Sequence, residues 1–180
     1  IRENFMCDVL GDPPANVNVD VEDLEGVVAT REKVESLTSP GGCSGCHQYI
    51  NGLGFPLEAF DSLGRHRSSE MVIDTDGSIT MVPVDVAATP FIDGLDDPRS
   101  VSGPGSLVDE LLAGEKLQRC FAQHYVRFAL GLSADPSHGG DPATIDTLSR
   151  ELVAGATLAE VFKQIAFLPA FKQRLRGAES

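Results

Sequence analysis

Apolar residues in the second half of the chain recur every three or four positions, which is the spacing of amphipathic helices. The pattern predicts helices at residues 106–114, 115–131, 141–155 and 157–175. Within the second of these helices we expect one buried stripe, formed by Leu117, Cys120, Phe121, His124 and Phe128. The second half of the chain is therefore expected to be a helical bundle.

The first half of the chain predicts shorter helices. Residues 30–37 begin with Thr30, a typical N-cap residue, and residues 56–64 begin with a proline that is well placed in a first helical turn. The string CSGCHQYI, residues 43–50, can also start a helix, which we expect Gly52 and Gly54 to end soon afterwards. We expect all three helices to be short.

One β element interrupts the helical pattern. β-Branched residues stand on both sides of Asp76-Gly77, which predicts a hairpin over residues 71–86. We therefore predict a mainly α fold with a small β-hairpin insertion. Its parts are an N-terminal lobe at residues 1–105 and a C-terminal helical lobe at residues 106–180, which either pack on each other or form one shared domain.

The net charge of the chain limits the kinds of molecule that it is expected to bind. The 180-residue chain has 27 acidic and 14 basic residues, and its formal net charge is −13. Such an excess of negative charge disfavours nucleic acid and anionic lipid, and it favours a basic protein partner. No apolar stretch approaches the roughly 18 residues that a membrane span needs.

The segment GGCSGCHQYI, residues 41–50, holds Cys43, Cys46 and His47 in the pattern Cys-x-x-Cys-His. Two residues between the cysteines match the separation of the two porphyrin vinyl groups, to which cysteines attach as thioethers in c-type haem. The next residue then supplies the proximal nitrogen ligand to iron. We expect one covalently attached haem c, with His47 as its proximal ligand.

The same five residues are also compatible with a zinc site, a redox dithiol or a chance occurrence. A zinc site needs a fourth ligand, usually from a second pair at short spacing, and the remaining histidines, His66, His124 and His138, are widely separated. A redox dithiol normally follows a strand in a βαβ unit, which the helical surroundings do not predict. A pattern of only five residues can also arise by chance.

Two cysteines lie outside the motif. Cys7 and Cys120 are more than a hundred residues apart, and in an oxidising compartment their simplest arrangement is a disulfide. Such a bond would tie the N-terminal segment to the long C-terminal helix. The alternative is two separate buried thiols.

Longer strings add a family resemblance. IRENFMC, TREKVE, CSGCHQYINGLGFPLEAFDSLGRHR and CFAQHYVRFALG together resemble the C-terminal region of planctomycete-type cytochrome-c-like proteins, which ends in two adjacent domains of unknown function. The resemblance covers most of residues 1–176 and is weakest over 68–105. It implies a cytochrome-c-like helical haem lobe, a larger bacterial parent protein, and export to the periplasm or the cell exterior. It does not imply a particular reaction.

The ligand on the other face of the iron decides what such a haem does. Met81 is the preferred candidate, because Pro83 would stiffen the loop that presents it, and Met71 is a runner-up in the same insertion. His124 is the rival ligand, although a histidine on an apolar helix face is more often a hydrogen-bonded core residue. If none of them ligates, the iron is five-coordinate and can bind a small molecule.

Further residues near the motif are candidates for contact with the porphyrin. Arg65 and Arg67 could pair with the propionates, or could be solvated arginines at a helix end. Phe55, Leu57 and Phe60 are expected to pack against the ring edge, because a buried porphyrin needs apolar walls.

These features favour an electron-transfer module over a catalyst. The first hypothesis is a monohaem c-type cytochrome that passes single electrons to or from a redox protein or neighbouring domains of the parent protein. The second is an open-site haem domain with peroxidase-like or small-ligand chemistry. The third is a zinc-stabilised interaction module without a redox role.

Overall fold

A computed structural model describes residues 1–12, 28–74, 76–93, 98–132 and 141–172. Their contacts group the chain into two compact units, one containing Glu3–Asp8 and the chain from Gly114 onward, the other containing Arg2 and Val9–Ala113. The described residues are mainly α-helical, which confirms the predicted class. The predicted lobe boundary after residue 105 differs from this grouping, because the helix that follows it belongs to the same unit as the Cys-x-x-Cys-His motif.

The elements, in chain order, are α1 (Arg2–Met6), α2 (Thr30–Thr38), α3 (Gly41–Gly54), a 3-10 helix (Phe55–Ala59), β1 (Ser69–Ile73), β2 (Ile79–Pro83), β3 (Ala87–Ala88), β4 (Val101–Ser102), α4 (Pro104–Ala113), α5 (Lys116–Leu130), α6 (Pro142–Val153), α7 (Leu158–Ile165) and α8 (Pro169–Lys172). Strands β3 and β4 form a short antiparallel pair. His138 lies outside the described residues.

Helix α3 continues through Gly52 and ends at Gly54, the second of the two glycines predicted to end it. A side chain at Gly52 would place its Cβ 3.0 Å from the Cα of Pro90, so glycine lets the helix lie directly against that backbone. The helix then tightens into the 3-10 turn that begins at Phe55. The separate helix predicted at residues 56–64 is therefore wrong: the 3-10 turn ends at Ala59, Phe60 is extended, and the chain turns at Gly64.

The start of α2 is capped from outside the helix. Thr30 is the first helical residue rather than the N-cap, which is Ala29. Both the backbone N–H and the hydroxyl of Thr30 donate to the Glu70 carboxylate of β1, at 2.7 and 2.6 Å. A carboxylate at this helix end satisfies a free backbone donor and interacts favourably with the helix dipole. This cap fixes α2 against the hairpin.

The predicted hairpin is confirmed. Strands β1 and β2 pair antiparallel, and Gly77 occupies the left-handed region at φ 83° in the turn between them. Met71 and Met81 are directly opposite each other in this register. Because side chains alternate between the two faces of a hairpin, the two methionines lie on the same face.

The unit that contains residues 114 onward has its own core between α5, α6 and α7. Its buried members are Ala122, Val126, Ile145, Leu148, Val161 and Ile165. The predicted stripe on α5 is wrong at His124, which is exposed, and at Phe128, which is 85% exposed. The buried cluster instead contains Ala122 and Val126, and α6 packs on the face of the helix that carries them. The helix predicted at 157–175 is divided by a turn before Pro169, and α7 begins with a capping box between Thr157 and Glu160.

Each helix in the described ranges is too short or too polar to cross a bilayer.

Candidate functional site

The Cys-x-x-Cys-His motif lies in the first half of α3. Cys43, Cys46 and His47 occupy positions i, i+3 and i+4, so they share one face of the helix. Cys43 and His47 are partly buried and Cys46 is exposed, and neither cysteine is in a disulfide. The motif is thus presented on a helix surface with both thiols free for bond formation.

A chain of hydrogen bonds orients the His47 ring. The Thr38 hydroxyl donates to the Val34 carbonyl at 2.6 Å, and the Asn51 side-chain amide donates to the Thr38 oxygen at 2.8 Å. This leaves the Asn51 Oδ1 atom facing His47 Nδ1, at 3.1 Å.

The direction of these bonds determines which ring nitrogen of His47 carries the proton. Because the Thr38 hydrogen is used on a carbonyl, Thr38 can only accept from Asn51, and Asn51 must present its oxygen to His47. An amide oxygen only accepts, so Nδ1 donates and Nε2 keeps its lone pair. Metal-binding histidines are typically oriented in this way by a second partner.

A cleft of about 570 Å³ lies beside His47. Its walls include His47 and Asn51 from α3, Phe55 from the 3-10 helix, and Phe91 and Val101 from the segments that follow the hairpin. Pockets that hold cofactors usually measure about 300–1,000 Å³ and combine apolar walls with a few polar groups. The cleft has the size and the mixed lining of such a pocket.

Arg31 is the arginine that lines this cleft in the described part of the chain. Its guanidinium lies 4.4 Å from the centre of the Phe55 ring and pairs with Glu35 and Asp85 at 3.0 and 2.9 Å. It also donates to the backbone carbonyl of Ala87 at 2.6 Å. Arg31 therefore holds α2, Phe55 and the segment before β3 together at one side of the cleft.

The two arginines predicted to reach the haem propionates lie elsewhere. Arg65 is largely exposed and pairs with Asp61 at 2.7 Å, and hydrogen bonds from Arg65 lower the pKa of the Asp61 carboxyl. Arg67 pairs with Glu58 and, at 3.3 Å, with Glu70. Since both guanidinium groups already have carboxylate partners, these contacts give no support to a propionate role.

The three predicted ring-packing residues have different surroundings. Phe55 is buried and lines the cleft, as its predicted role requires. Leu57 and Phe60 are both 39% exposed, and neither belongs to the described lining. Phe60 instead makes an edge-on contact with His66, with 6.1 Å between ring centres. That these two residues pack on a porphyrin stays a prediction.

None of the three candidates for the second iron ligand lies in the described lining of the cleft. Met71 and Met81 are each 60% exposed on the hairpin. His124 is exposed on α5, where its Nε2 atom lies 3.6 Å from the sulfur of Cys7. A ligand role for Met81 stays a prediction, with Met71 and His124 as alternatives.

A zinc site at the motif finds no support. Among the described residues, the one group of three or more His, Cys, Asp or Glu donors close enough for a common ion is Cys7, Cys120 and His124. The donor atoms of Cys43, Cys46 and His47 do not form such a group with one another or with a fourth described residue. Donors that are spread along a helix face suit attachment to three separate points of a porphyrin better than binding of one small ion.

The predicted pairing of Cys7 and Cys120 agrees with the structure. Their sulfur atoms are 2.12 Å apart and their Cα atoms are 5.3 Å apart, which is bonding distance. The bond joins the end of α1 to α5 within one unit. The alternative of two separate thiols is therefore wrong.

Sequence reasoning missed the residues that support the site. Asn51 stands four positions after His47, and this i, i+4 spacing was the available signal for its contact with the ring. Thr38 and Arg31 carry no such signal, because they reach the site only when α2 packs on α3. The same holds for Arg2, which is buried and donates its Nε hydrogen to the Tyr49 carbonyl of α3 at 2.8 Å.

Comparison with known protein families finds a match for the N-terminal part of the chain. Residues 1–70 match the PSCyt3 family model. That family is described as a protein of unknown function (DUF1588), and the match covers α2, α3 and the motif. The resemblance to planctomycete cytochrome-c-like proteins is thus supported for these residues, and for residues 71–176 it stays a prediction. Comparison with the curated proteins and with the solved structures finds no match.

Proposed function

We propose that this chain is a monohaem c-type cytochrome module that carries single electrons within, or from, a larger exported protein. The observation that carries the proposal is the combination of Cys43, Cys46 and His47 on one helix face with a His47 ring whose Nε2 lone pair is left available by Asn51. Haem, when bound, supplies the one-electron couple between ferric and ferrous iron.

The chain's own residues then have separate roles. Cys43 and Cys46 hold the porphyrin covalently, so the cofactor stays bound in both oxidation states. His47 presents Nε2 to the metal, while Asn51 accepts the hydrogen bond from Nδ1 and fixes the orientation of the ring. Phe55 provides an apolar wall of the cleft beside His47 and limits the access of water to it.

A second candidate is an open-site haem domain that binds a small molecule. One observation favours it: the described lining of the cleft contains neither of the hairpin methionines and no histidine besides His47. Under this proposal the iron would lack a protein ligand on its second face. Such a site could perform peroxidase-like chemistry or bind a diatomic ligand.

The partners and the location follow from the same proposal. Attachment of haem c takes place after export, and the disulfide between Cys7 and Cys120 is typical of the same oxidising compartments. We therefore propose a periplasmic or extracellular bacterial protein. With a net charge of −13, a redox partner that is a separate protein should present a basic surface.

The oxidised and reduced visible spectra of the chain, produced in cells that attach haem c, test the proposal and separate the two candidates. Colour that remains with the protein in acid–acetone, and that is lost in the Cys43→Ala/Cys46→Ala double variant, supports covalent haem. A colourless protein would contradict both candidates.

The spin state of the iron then separates them. A low-spin oxidised protein with the near-infrared sulfur-to-iron band, lost in Met81→Ala, supports electron transfer with methionine ligation. A high-spin oxidised protein that binds azide rapidly supports the open site. Loss of the band in Met71→Ala instead would assign the ligand role to Met71, the exposed cross-strand partner of Met81.

A further inference from the structure

His124 lies beside the Cys7–Cys120 disulfide and has no part in forming that bond. His124 Nε2 is 3.6 Å from the Cys7 sulfur, and the donor atoms of the three residues all lie within 4.8 Å of one another. Cys120 and His124 are at positions i and i+4 of α5, so their side chains project from the same face of the helix. Two sulfurs and one imidazole nitrogen thus converge on one point.

The three donors differ in their exposure. Cys120 is 2% exposed, Cys7 is partly buried, and His124 is exposed. One side of the cluster is therefore closed by protein and the His124 side faces solvent. A cluster of three protein donors with one open side is the arrangement of metal sites that keep a water as the fourth ligand.

Contacts other than the disulfide also hold Cys7 close to α5. Asp8 forms an ion pair with Lys116 at the start of α5, and the sulfur of Cys120 lies 3.8 Å from the carbonyl of Asn4. Cys7 itself adopts a left-handed backbone conformation, φ 52°, which turns the chain at the end of α1. These contacts would keep the two sulfurs adjacent after the bond between them is broken.

We propose that Cys7, Cys120 and His124 form a binding site for a soft divalent cation of the zinc class when the disulfide is reduced. Two thiolates and a neutral imidazole are the donor set that Zn²⁺ prefers in proteins. The disulfide form offers no thiolate, so the oxidised protein does not bind the ion. The two states are alternatives that link the end of α1 to α5, one by a covalent bond and the other by a metal.

The chemistry balances with a dithiol as the reductant. Thiol–disulfide exchange transfers two electrons and two protons from the dithiol to the protein, so that the Cys7–Cys120 bond breaks and the dithiol closes to its own disulfide. Binding of the cation then releases the two thiol protons as two metal–sulfur bonds form, and His124 donates the lone pair of Nε2. This inference does not depend on haem.

Cobalt(II) is the probe for this site, because its thiolate complexes show a charge-transfer band in the near ultraviolet. The full 180-residue chain carries Cys43→Ser and Cys46→Ser, so that Cys7 and Cys120 are its two remaining cysteines. It is reduced with dithiothreitol, freed of reductant without air, and titrated with Co²⁺ while circular dichroism monitors the fold. We expect one Co²⁺ per chain, displacement by Zn²⁺, and no band in the oxidised protein.

Variants of the same chain identify the ligands. His124→Ala is expected to weaken Co²⁺ binding at least roughly tenfold, and Cys7→Ser is expected to abolish the charge-transfer band of the folded protein. His66→Ala, which removes an exposed histidine of the other unit, is the matched control and should bind like its parent. The proposal is overturned if the reduced chain shows no band, unfolds on reduction, or binds Co²⁺ equally well without His124.

Discussion

Replacing Asn51 with leucine perturbs the orientation of His47 without touching the Cys-x-x-Cys-His motif. Leucine has a similar size but neither accepts from the His47 ring nor donates to Thr38, so both hydrogen bonds of the amide are lost. A hydrogen bond on Nδ1–H makes the imidazole a stronger electron donor, which stabilises ferric iron more than ferrous iron. Its removal should therefore raise the reduction potential of the proposed haem.

The size of the shift follows from the two contacts. Each hydrogen bond of this kind contributes about 1 kcal/mol net. The hydrogen bond to His47 is 3.1 Å long. If the ferric state gains half to all of its free energy relative to the ferrous state, the loss of the bond raises the one-electron potential by roughly 20–40 mV. Loss of both bonds should also lower the free energy of unfolding of the haem-free chain by about 1–3 kcal/mol.

Spectroelectrochemical titration of the haem-loaded variants measures this shift. Asn51→Asp keeps an acceptor beside Nδ1 and adds negative charge, so its potential should move in the opposite direction, downward. Gln48→Leu is the matched control, because Gln48 lines the same cleft and bonds the Gly45 carbonyl instead of the ring. The reasoning is refuted if Asn51→Leu leaves the potential unchanged, or if both Asn51 variants shift it in the same direction.

Three further predictions concern the stability of the chain. Cys7→Ser removes a disulfide bond that spans 113 residues. By the chain-entropy model, this should lower the free energy of unfolding, measured in urea, by about 5 kcal/mol. Equal stability of the wild type with and without a reductant would contradict this prediction. Gly52→Ala places a Cβ 3.0 Å from a backbone atom and should destabilise the haem-free chain by about 1–3 kcal/mol. The matched change Gly45→Ala meets no atom within 4 Å and should be neutral or stabilising, so similar effects at both glycines would disprove the close approach. Hydrogen bonds from Thr157 hold the pKa of Glu160 below its ordinary value, so the stabilisation by this carboxylate is present above the unfolded-state pKa and is lost as the pH falls through the folded one. Thermal melts of Glu160→Gln should therefore differ from the wild type near neutral pH and converge with it in acid, and a difference that persists in acid would argue against the capping box.

The parts of the fold that depend on local sequence could be predicted. The hairpin follows from Asp76-Gly77 between β-branched residues, because that turn needs a residue in the left-handed region and Gly77 occupies it. The common face of the motif residues follows from helical geometry alone. The pairing of Cys7 with Cys120 could be inferred because the motif accounts for the remaining two cysteines.

The parts that depend on packing could not be predicted. Glycine often ends a helix, but Gly52 instead allows α3 to touch the backbone at Pro90, a contact between segments that are distant in sequence. Phe128 satisfies the apolar spacing on α5, yet α6 covers the face that carries Ala122 and Val126. The position of α6, which the apolar spacing on α5 does not reveal, therefore decides which residues of α5 are buried.

The hydrogen bonds that orient His47 also depend on packing and could be predicted only in part. Asn51 is one helical turn from His47, so its position was available from the sequence. Its role follows only when Thr38, at the end of α2, donates its hydrogen to the Val34 carbonyl and so fixes the direction of the amide. The chemistry of the site is therefore set by the contact between α2 and α3 as much as by the motif.

The intact mass of the denatured chain, after production in cells that attach haem c, tests the central claim most directly. Denaturation removes every non-covalent ligand, so only a porphyrin bonded through Cys43 and Cys46 adds to the mass. We predict the mass of the chain plus one haem, and the mass of the bare chain for the Cys43→Ala/Cys46→Ala variant. A bare mass for the wild type, from cells that load another c-type cytochrome in the same experiment, would contradict the account.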